Sequence, residues 1–260
     1  MNLSSLFGVL VGLGVVALSI THSDMDLKFF LNFHGMVIVC GGTLAAAAIS
    51  FPIGKILTLV RVFFLRLLGR NRVDYQATIE KILELNKNLS LGLVGAHEMA
   101  NKIDNDFLRE AVNLVVDGVL TEREIRNVLE QRLHTVEHHY MHEAMMFRTI
   151  GKYPPAFGLL ATTLGMIALL QKIGQPGAEK LIGPAMAIGL VGTLYGIALA
   201  NLMFLPISEA LMEKTEEEVA LRKMIIEGAV LLKQRVNPLY MRESLNSFLL
   251  PGERVKRKAA

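Results

Sequence analysis

The sequence predicts an all-α membrane protein with four transmembrane helices, a helical cytoplasmic domain between spans two and three, and a cytoplasmic C-terminal helix. Three observations lead there. The 260 residues are 52% hydrophobic and only 20% charged, with a mean hydropathy of +0.42, more apolar and less charged than ordinary soluble domains. Four uncharged stretches run from about Leu3 to Ile20, Phe30 to Pro52, Pro154 to Leu170 and Leu181 to Ser208. Each approaches the ~20 residues that cross ~30 Å of hydrocarbon as a helix. No ~10-residue alternating segments suggest a membrane β-barrel.

The first stretch is read as a retained span. Only Met1 and Asn2 precede it, so it has no positive n-region, and no A-x-A site follows. Orientation follows the basic residues. The segment 53–153 holds 14 Lys and Arg and the segment 209–260 holds 10, whereas Lys28 alone lies between spans one and two, and Lys172 and Lys180 between spans three and four. Both long segments and both termini are therefore expected in the cytoplasm. The domains follow as an N-terminal hairpin (1–52), a cytoplasmic helical domain (53–153), a second hairpin (154–208) and a cytoplasmic helix with a basic tail (209–260).

In the cytoplasmic part, helices are expected over Val73–Lys87, Gly95–Ile103, Asp106–Val116 and Thr121–Gly151. Leu108, Ala111, Val112 and Val115 form one apolar stripe at helical spacing. Asp117-Gly118 marks a turn, and Thr121 with Glu124 fits a capping box opening a long helix that runs on toward Pro154. After span four, Glu209–Arg235 reads as one helix ended by Asn237-Pro238, and Leu239–Leu249 as a short last one. The terminal ERVKRKAA reads as disordered.

The chemistry lies partly in what is missing. No Asp, Glu, Lys or Arg stands inside any of the four spans, although ion carriers in membranes usually depend on such a group. If ions cross here, a partner helix must bring the carboxylate. Span three carries Gly158, Ala161, Thr162, Thr163 and Gly165. Span four carries Gly183, Ala185, Ala187, Gly189, Gly192, Thr193, Gly196, Ala198 and Ala200. Gly192-x-x-x-Gly196 lets helix backbones approach closely. The plain reading is helix packing; the sharper one is a pore wall offering threonine oxygens to a hard cation. Pro155 stands at the start of span three, where a missing N–H costs nothing. Pro206, inside the end of span four, should bend it.

Other chemistries find little support. No nucleophile elbow, phosphate-cradling loop or paired catalytic carboxylates occur, so no enzyme is expected. Gly12 and Gly14 are span residues. Cys40 reads as a small buried apolar side chain, and no nucleic-acid signature is present. His134, His138 and His142 are spaced by four on one helix face, with His139 and Glu143 adjacent. Two such histidines can bind zinc, but the order is not H-E-x-x-H, and a polar helix face is the simpler reading over a zinc enzyme or metal transporter.

Against this background, PPAFGLLATTLGMI (Pro154–Ile167), IGPAMAIGLVGTLYGIALANLMFLPI (Ile182–Ile207), FLREAVNLVVDG (Phe107–Gly118) and NPLYMRESLNSFLLP (Asn237–Pro251) resemble the MotA/PomA flagellar stator family, within the MotA/TolQ/ExbB proton channel superfamily. The fourth-span run is most similar to the PomA, sodium-type, branch. TolQ/ExbB-like energisers of outer-membrane processes are the alternative; they typically lack the N-terminal hairpin. The resemblance implies an inner-membrane motor subunit serving motility and chemotaxis, in a ring of five copies around two copies of a single-span MotB/PomB-type partner that supplies the ion-binding aspartate. Ion flow, sodium or proton, would turn the ring against the flagellar rotor switch protein. No cofactor beyond the transported ion is implied. By motif, the family prolines fall on Pro155 and Pro206 and the ion-path threonines on Thr162 and Thr193; a further PomA threonine position is Gly192 here. Proton-type members often carry alanine where Thr162 stands, which favours sodium. The family's rotor-facing arginine and glutamate positions hold Leu89 and His97, so Lys87, His97 and Glu98 are the candidates for that contact.

Overall fold

The computed structural model describes residues 7, 8, 10–12, 14, 15, 18, 22, 30–63, 65, 73–91, 103–174 and 179–255. The first expected span falls largely outside them, as do His97 and Glu98 and most of the expected helix Gly95–Ile103. The described residues contain helices and no strand. They form α1 (Phe33–Ser50), α2 (Ile53–Val62), α3 (Tyr75–Leu91), α4 (Asp106–Val116), α5 (Glu122–Ile150), α6 (Tyr153–Leu170), α7 (Glu179–Leu199), α8 (Leu205–Gln234) and α9 (Pro238–Asn246). Three helical runs, Phe33–Ser50, Glu122–Leu170 and Ile182–Gln234, are long and apolar enough to cross a membrane. The chain clusters into two compact units, residues 1–70 with 141–212, and residues 71–140 with 213–260.

In the first unit, α1 starts at Asn32, whose side chain accepts the Gly35 N–H at 3.1 Å, one of the orphan donors of a first turn. Within α1, Val37–Gly41 forms a π-helical turn. Gly42 meets the Phe157 ring of α6 so closely that a Cβ there would lie 2.2 Å from Cδ1. At the far end of α1, the Ser50 and Tyr153 hydroxyls share a 2.6 Å hydrogen bond. Thr43 is buried, and its hydroxyl has no hydrogen-bond partner among the described residues. A buried unpaired hydroxyl costs roughly 1–3 kcal/mol, and valine has its shape without the polar atom. Thr43→Val is therefore expected to stabilise the purified protein by about 1 kcal/mol, read as a higher thermal midpoint in detergent. A lowered midpoint would show that the hydroxyl is bonded.

Proline explains where the long helices break. Helix α5 stops at Ile150 because Pro154 and Pro155 lack the N–H groups that the Ile150 and Gly151 carbonyls would need. The helix does run on toward Pro154: after a turn at Gly151-Lys152, where Lys152 keeps helical dihedrals, α6 follows at once, so that Glu122–Leu170 is one helical run. Pro206 removes the donor for the Leu202 carbonyl. The chain answers with a π turn at Ala200–Phe204, closed by the Leu205 N–H bonding back to the Ala200 carbonyl, an accommodation typical of helices in lipid. Gly151 and Phe204 touch at this level: a Cβ on Gly151 would lie 3.0 Å from the Phe204 Cβ. The helix expected to begin at Glu209 in fact resumes at Leu205.

In the second unit the stripe Leu108, Ala111, Val112 and Val115 is fully in the core, with Ile79, Ile82, Ile125, Leu129, Met224, Ile225, Leu232, Met241 and Leu245. The capping box forms as expected. Glu124 accepts the Thr121 N–H at 2.8 Å, and the Glu124 N–H reaches Thr121 Oγ1 at 3.4 Å. The backbone bond from Thr121, then that from its hydroxyl, hold the Glu124 carboxyl below the usual range. Gly118 takes φ +75° in the turn before it, a conformation open to glycine. Tyr75 donates to the Glu217 carbonyl at 2.9 Å; burial pushes its phenol up, and the charges of Glu217 and Glu253 add to the shift.

Of the terminal ERVKRKAA, residues 256–260 lie outside the described residues. Its first residues are held: the buried Asn246 side chain pairs with the Val255 backbone through bonds of 3.2 and 3.0 Å, as a second strand of backbone would. Val255 packs on the core. The last helix is also shorter than expected, ending at Asn246. Proline and Asn237, whose side chain accepts the Leu239 N–H at 2.8 Å, fix its start one residue earlier.

Candidate ion path between the two glycine-rich spans

The small residues of the two glycine-rich spans meet each other. A Cβ on Gly158 would lie 2.9 Å from the Thr193 Cα, on Gly165 2.7 Å from the Ala185 carbonyl oxygen, and on Gly189 2.8 Å from the Thr162 Cα. On Gly196 it would lie 2.4 Å from the Pro154 carbonyl oxygen, and on Gly192 2.6 Å from the Ala161 Cβ. The plain reading of the small-residue pattern therefore holds: these residues bring α6 and α7 of one chain together. Gly192 is also pressed from its other side by Gly35 of α1, whose own Cβ would stand 3.3 Å from the Gly192 nitrogen. A threonine at 192, as in the resembled branch, has no room in this packing.

That close approach carries Thr162 and Thr193 into contact. Their hydroxyls lie 2.6 Å apart. Thr162 Oγ1 is 2.9 Å from the Gly189 carbonyl and 3.2 Å from the Gly158 carbonyl; Thr193 Oγ1 is 3.1 Å from the Gly158 carbonyl. Two hydroxyl protons serve four oxygens. If Thr193 donates to Thr162 and Thr162 donates to Gly189, one lone pair on Thr162 and both on Thr193 stay available. Thr162 stands nine residues into α6, roughly 14 Å along its axis, near the middle of a ~30 Å hydrocarbon layer. The cluster is neutral. It can orient a hard cation with oxygen ligands but contributes no charge against the cost of bringing one into hydrocarbon.

The remaining predicted residues separate from this cluster. Pro155 lies in the first turn of α6 beside Gly196, and Pro206 in the first turn of α8. Lys87 is exposed on α3, with His97 and Glu98 outside the described residues. His134, His138, His139 and His142 are all exposed; His134 lies 3.6 Å from Glu137. Among the described residues, no three His, Cys, Asp or Glu side chains converge as a metal site would require.

Sequence reading missed two contributors. The Gly158 and Gly189 carbonyls complete the oxygen cluster, and backbone atoms leave no mark in a sequence. Tyr195 could have been found, because a tyrosine in an apolar span needs a partner for its hydroxyl. It donates to the Phe30 carbonyl and accepts the Asn32 N–H at 3.3 Å, tying α7 to the start of α1.

Gly-rich helices long and apolar enough to cross a membrane, packed around a cluster of neutral oxygens, fit a channel type of membrane protein. The comparison with known proteins agrees. Residues 99–224 match the model of the MotA/TolQ/ExbB proton channel family. Motility protein A of Borreliella burgdorferi is 32% identical over 98% of this chain and 96% of its own, and Chemotaxis protein PomA of Vibrio alginolyticus is 27% identical over 98% of each. The chain belongs to the MotA/PomA flagellar stator family. Its fold is that of the solved MotAB complexes: the C. jejuni chain superposes with a TM-score of 0.88 at 21% identity, covering 99% of this chain and 100% of that one, and the Bacillus subtilis chain with 0.86 at 23%, covering 96% and 98%.

Proposed function

We propose that this chain is the ring-forming subunit of an ion-driven flagellar stator, coupling the flow of a cation, sodium rather than proton, to torque on the rotor. The Thr162–Thr193 hydroxyl pair, set on the carbonyls of Gly158 and Gly189 in spans that own no acidic group, is the observation that supports this reading best. Sodium needs several oxygen ligands at once, and a threonine at 162 supplies one where an alanine would not. The missing charge comes from a partner. A MotB/PomB-type single-span subunit brings an aspartate into the membrane, two copies of it inside a ring of five copies of this chain. The whole sits in the bacterial inner membrane with both termini in the cytoplasm. In this assignment, segments 1–52 and 154–208 are the membrane hairpins, and 53–153 with 209–260 the cytoplasmic part.

Pro155 and Pro206 act at the cytoplasmic ends of the two inner spans. There the Gly151 turn and the π turn at Ala200–Phe204 are the places where ion occupancy can change the course of α5 and α8. Lys87, His97 and Glu98 are the residues assigned to the rotor contact; reversing the charge of Lys87 and Glu98 together should lower torque.

The test is ion replacement. Chain and partner, reconstituted together, should conduct in sodium and fall to background in isosmotic potassium at constant pH. Equal flux in both, driven by a pH gradient alone, would reassign the coupling ion to the proton. A neighbouring gene encoding a TonB- or TolR-like protein, in place of one span with an aspartate and a peptidoglycan-binding domain, would point to the energiser reading.

A further inference from the structure

We infer that α2 (Ile53–Val62) is an interfacial helix that seats its outer face in the lipid and gathers anionic phospholipid head groups with Arg61 and Lys55. The backbone turns off the axis of α1 at Phe51 and Pro52, which are extended (φ −137°, ψ 143° and φ −56°, ψ 137°), so α2 does not continue the span. One side of α2, Leu59 and Val62, is buried in a cluster with Ala47, Phe147, Ile150, Ile207 and Leu211. Those five residues flank the end of α1, the start of α6 and Pro206. Helix α2 is thereby held at the level where the spans leave the membrane.

Its other side is apolar too. Ile53, Leu57 and Val60 recur at i, i+4 and i+7, share one face, and are 68%, 67% and 55% exposed. At that level an apolar stripe meets acyl chains, not bulk water. Gly54, Thr58 and Arg61 form the adjoining polar edge, and Lys55, in the first turn, lies on the side of the helix opposite the stripe; all four are exposed. Neither Arg61 nor Lys55 makes an ion pair among the described residues. The sequence adds a field of one sign: residues 53–73 contain Lys55, Arg61, Arg66, Arg70 and Arg72 and no Asp or Glu. A basic run next to a span, on an amphipathic helix, attracts anionic lipid. The long Arg61 side chain can lay its stem along the apolar stripe and reach the phosphates, while Lys55 adds its charge from the start of the helix. This inference stands apart from the choice of coupling ion and holds whichever ion is carried.

The absence of tryptophan from the sequence makes the test direct. Leu57→Trp places a single reporter on the exposed stripe, and Ile53→Trp one turn away is the second, should the first not fold. The full chain is reconstituted in vesicles of phosphatidylcholine containing equal mole fractions of brominated phosphatidylcholine or brominated phosphatidylglycerol. Strong quenching by brominated lipid with little by aqueous acrylamide is expected. The anionic lipid should show an apparent local enrichment of about fivefold per basic side chain at low salt. That enrichment should disappear in Lys55→Gln/Arg61→Gln and in 0.5 M salt, roughly where screening shortens to a few ångströms, while the depth of the reporter stays the same. Quenching by acrylamide, or by neither agent (a face covered by protein), overturns the lipid seat. Equal quenching by the two brominated lipids overturns the head-group assignment.

Discussion

Thr162→Ala is expected to cut sodium-driven flux roughly 10- to 100-fold at a fixed, subsaturating sodium concentration, whereas Thr162→Ser keeps most of it. The size follows from the ligand lost: an oxygen interacting with a charge contributes about 1.5–3 kcal/mol, and each ~1.4 kcal/mol is tenfold in occupancy. The geometry gives the direction. The Thr162 hydroxyl lies 2.6 Å from that of Thr193 and 2.9 Å from the Gly189 carbonyl, so alanine removes one cluster oxygen and leaves Thr193 bonded to the Gly158 carbonyl alone. Serine restores the oxygen and loses only a methyl group. The readout is the sodium concentration for half-maximal flux, or for half-maximal swimming speed in cells, which should rise in the alanine variant more than in the serine variant. An unchanged sodium dependence in Thr162→Ala would remove the hydroxyl from the ion path and leave it a packing residue.

The second large effect falls on folding. Gly196→Val should prevent α6 and α7 from packing, costing roughly 3 kcal/mol or more. An ideal Cβ at 196 stands 2.4, 2.9 and 3.1 Å from the Pro154 oxygen, the Pro154 carbonyl carbon and the Pro155 Cα. All three are backbone atoms, fixed further by two prolines, so no rotamer can move aside. Gly54→Ala is the control: nothing lies within 4 Å of its ideal Cβ, and alanine in an exposed helix gains about 0.5–1 kcal/mol over glycine. Thermal midpoints and gel-filtration profiles in detergent should therefore move in opposite directions. A well-folded Gly196→Val protein would mean that α6 and α7 separate more readily than their contact distances allow.

These two positions show where sequence reasoning reached and where it stopped. Both were visible in the sequence: Gly196 by its four-residue spacing from Gly192, and Thr162 as a hydroxyl in an apolar run that the family resemblance assigned to the ion path. The spacing rule gave close approach but not the neighbour, and it was the backbone of Pro154, not a partner helix, that filled the groove. The same holds for Gly192, whose missing hydroxyl is explained only by Ala161 and Gly35 closing on it from two sides. Pro206 was expected to disturb span four; the form of the disturbance, a π turn over Ala200–Phe204, depends on which carbonyls the neighbouring turns can satisfy.

What the sequence determined by itself is the set of properties that depend on near neighbours: helical spans from unbroken apolar runs, the capping box of Thr121 and Glu124, the stripe from Leu108 to Val115, the breaks at proline. Each is decided within about one or two turns of chain, where covalent connection already fixes the distances. The tertiary structure alone decided the oxygen cluster, the Tyr195 tie, the pairing of Asn246 with Val255 and the outward apolar face of α2. Those rest on atoms far apart in sequence or on backbone carbonyls common to every residue, so their meeting is set by how helices pack and is not written in any local pattern.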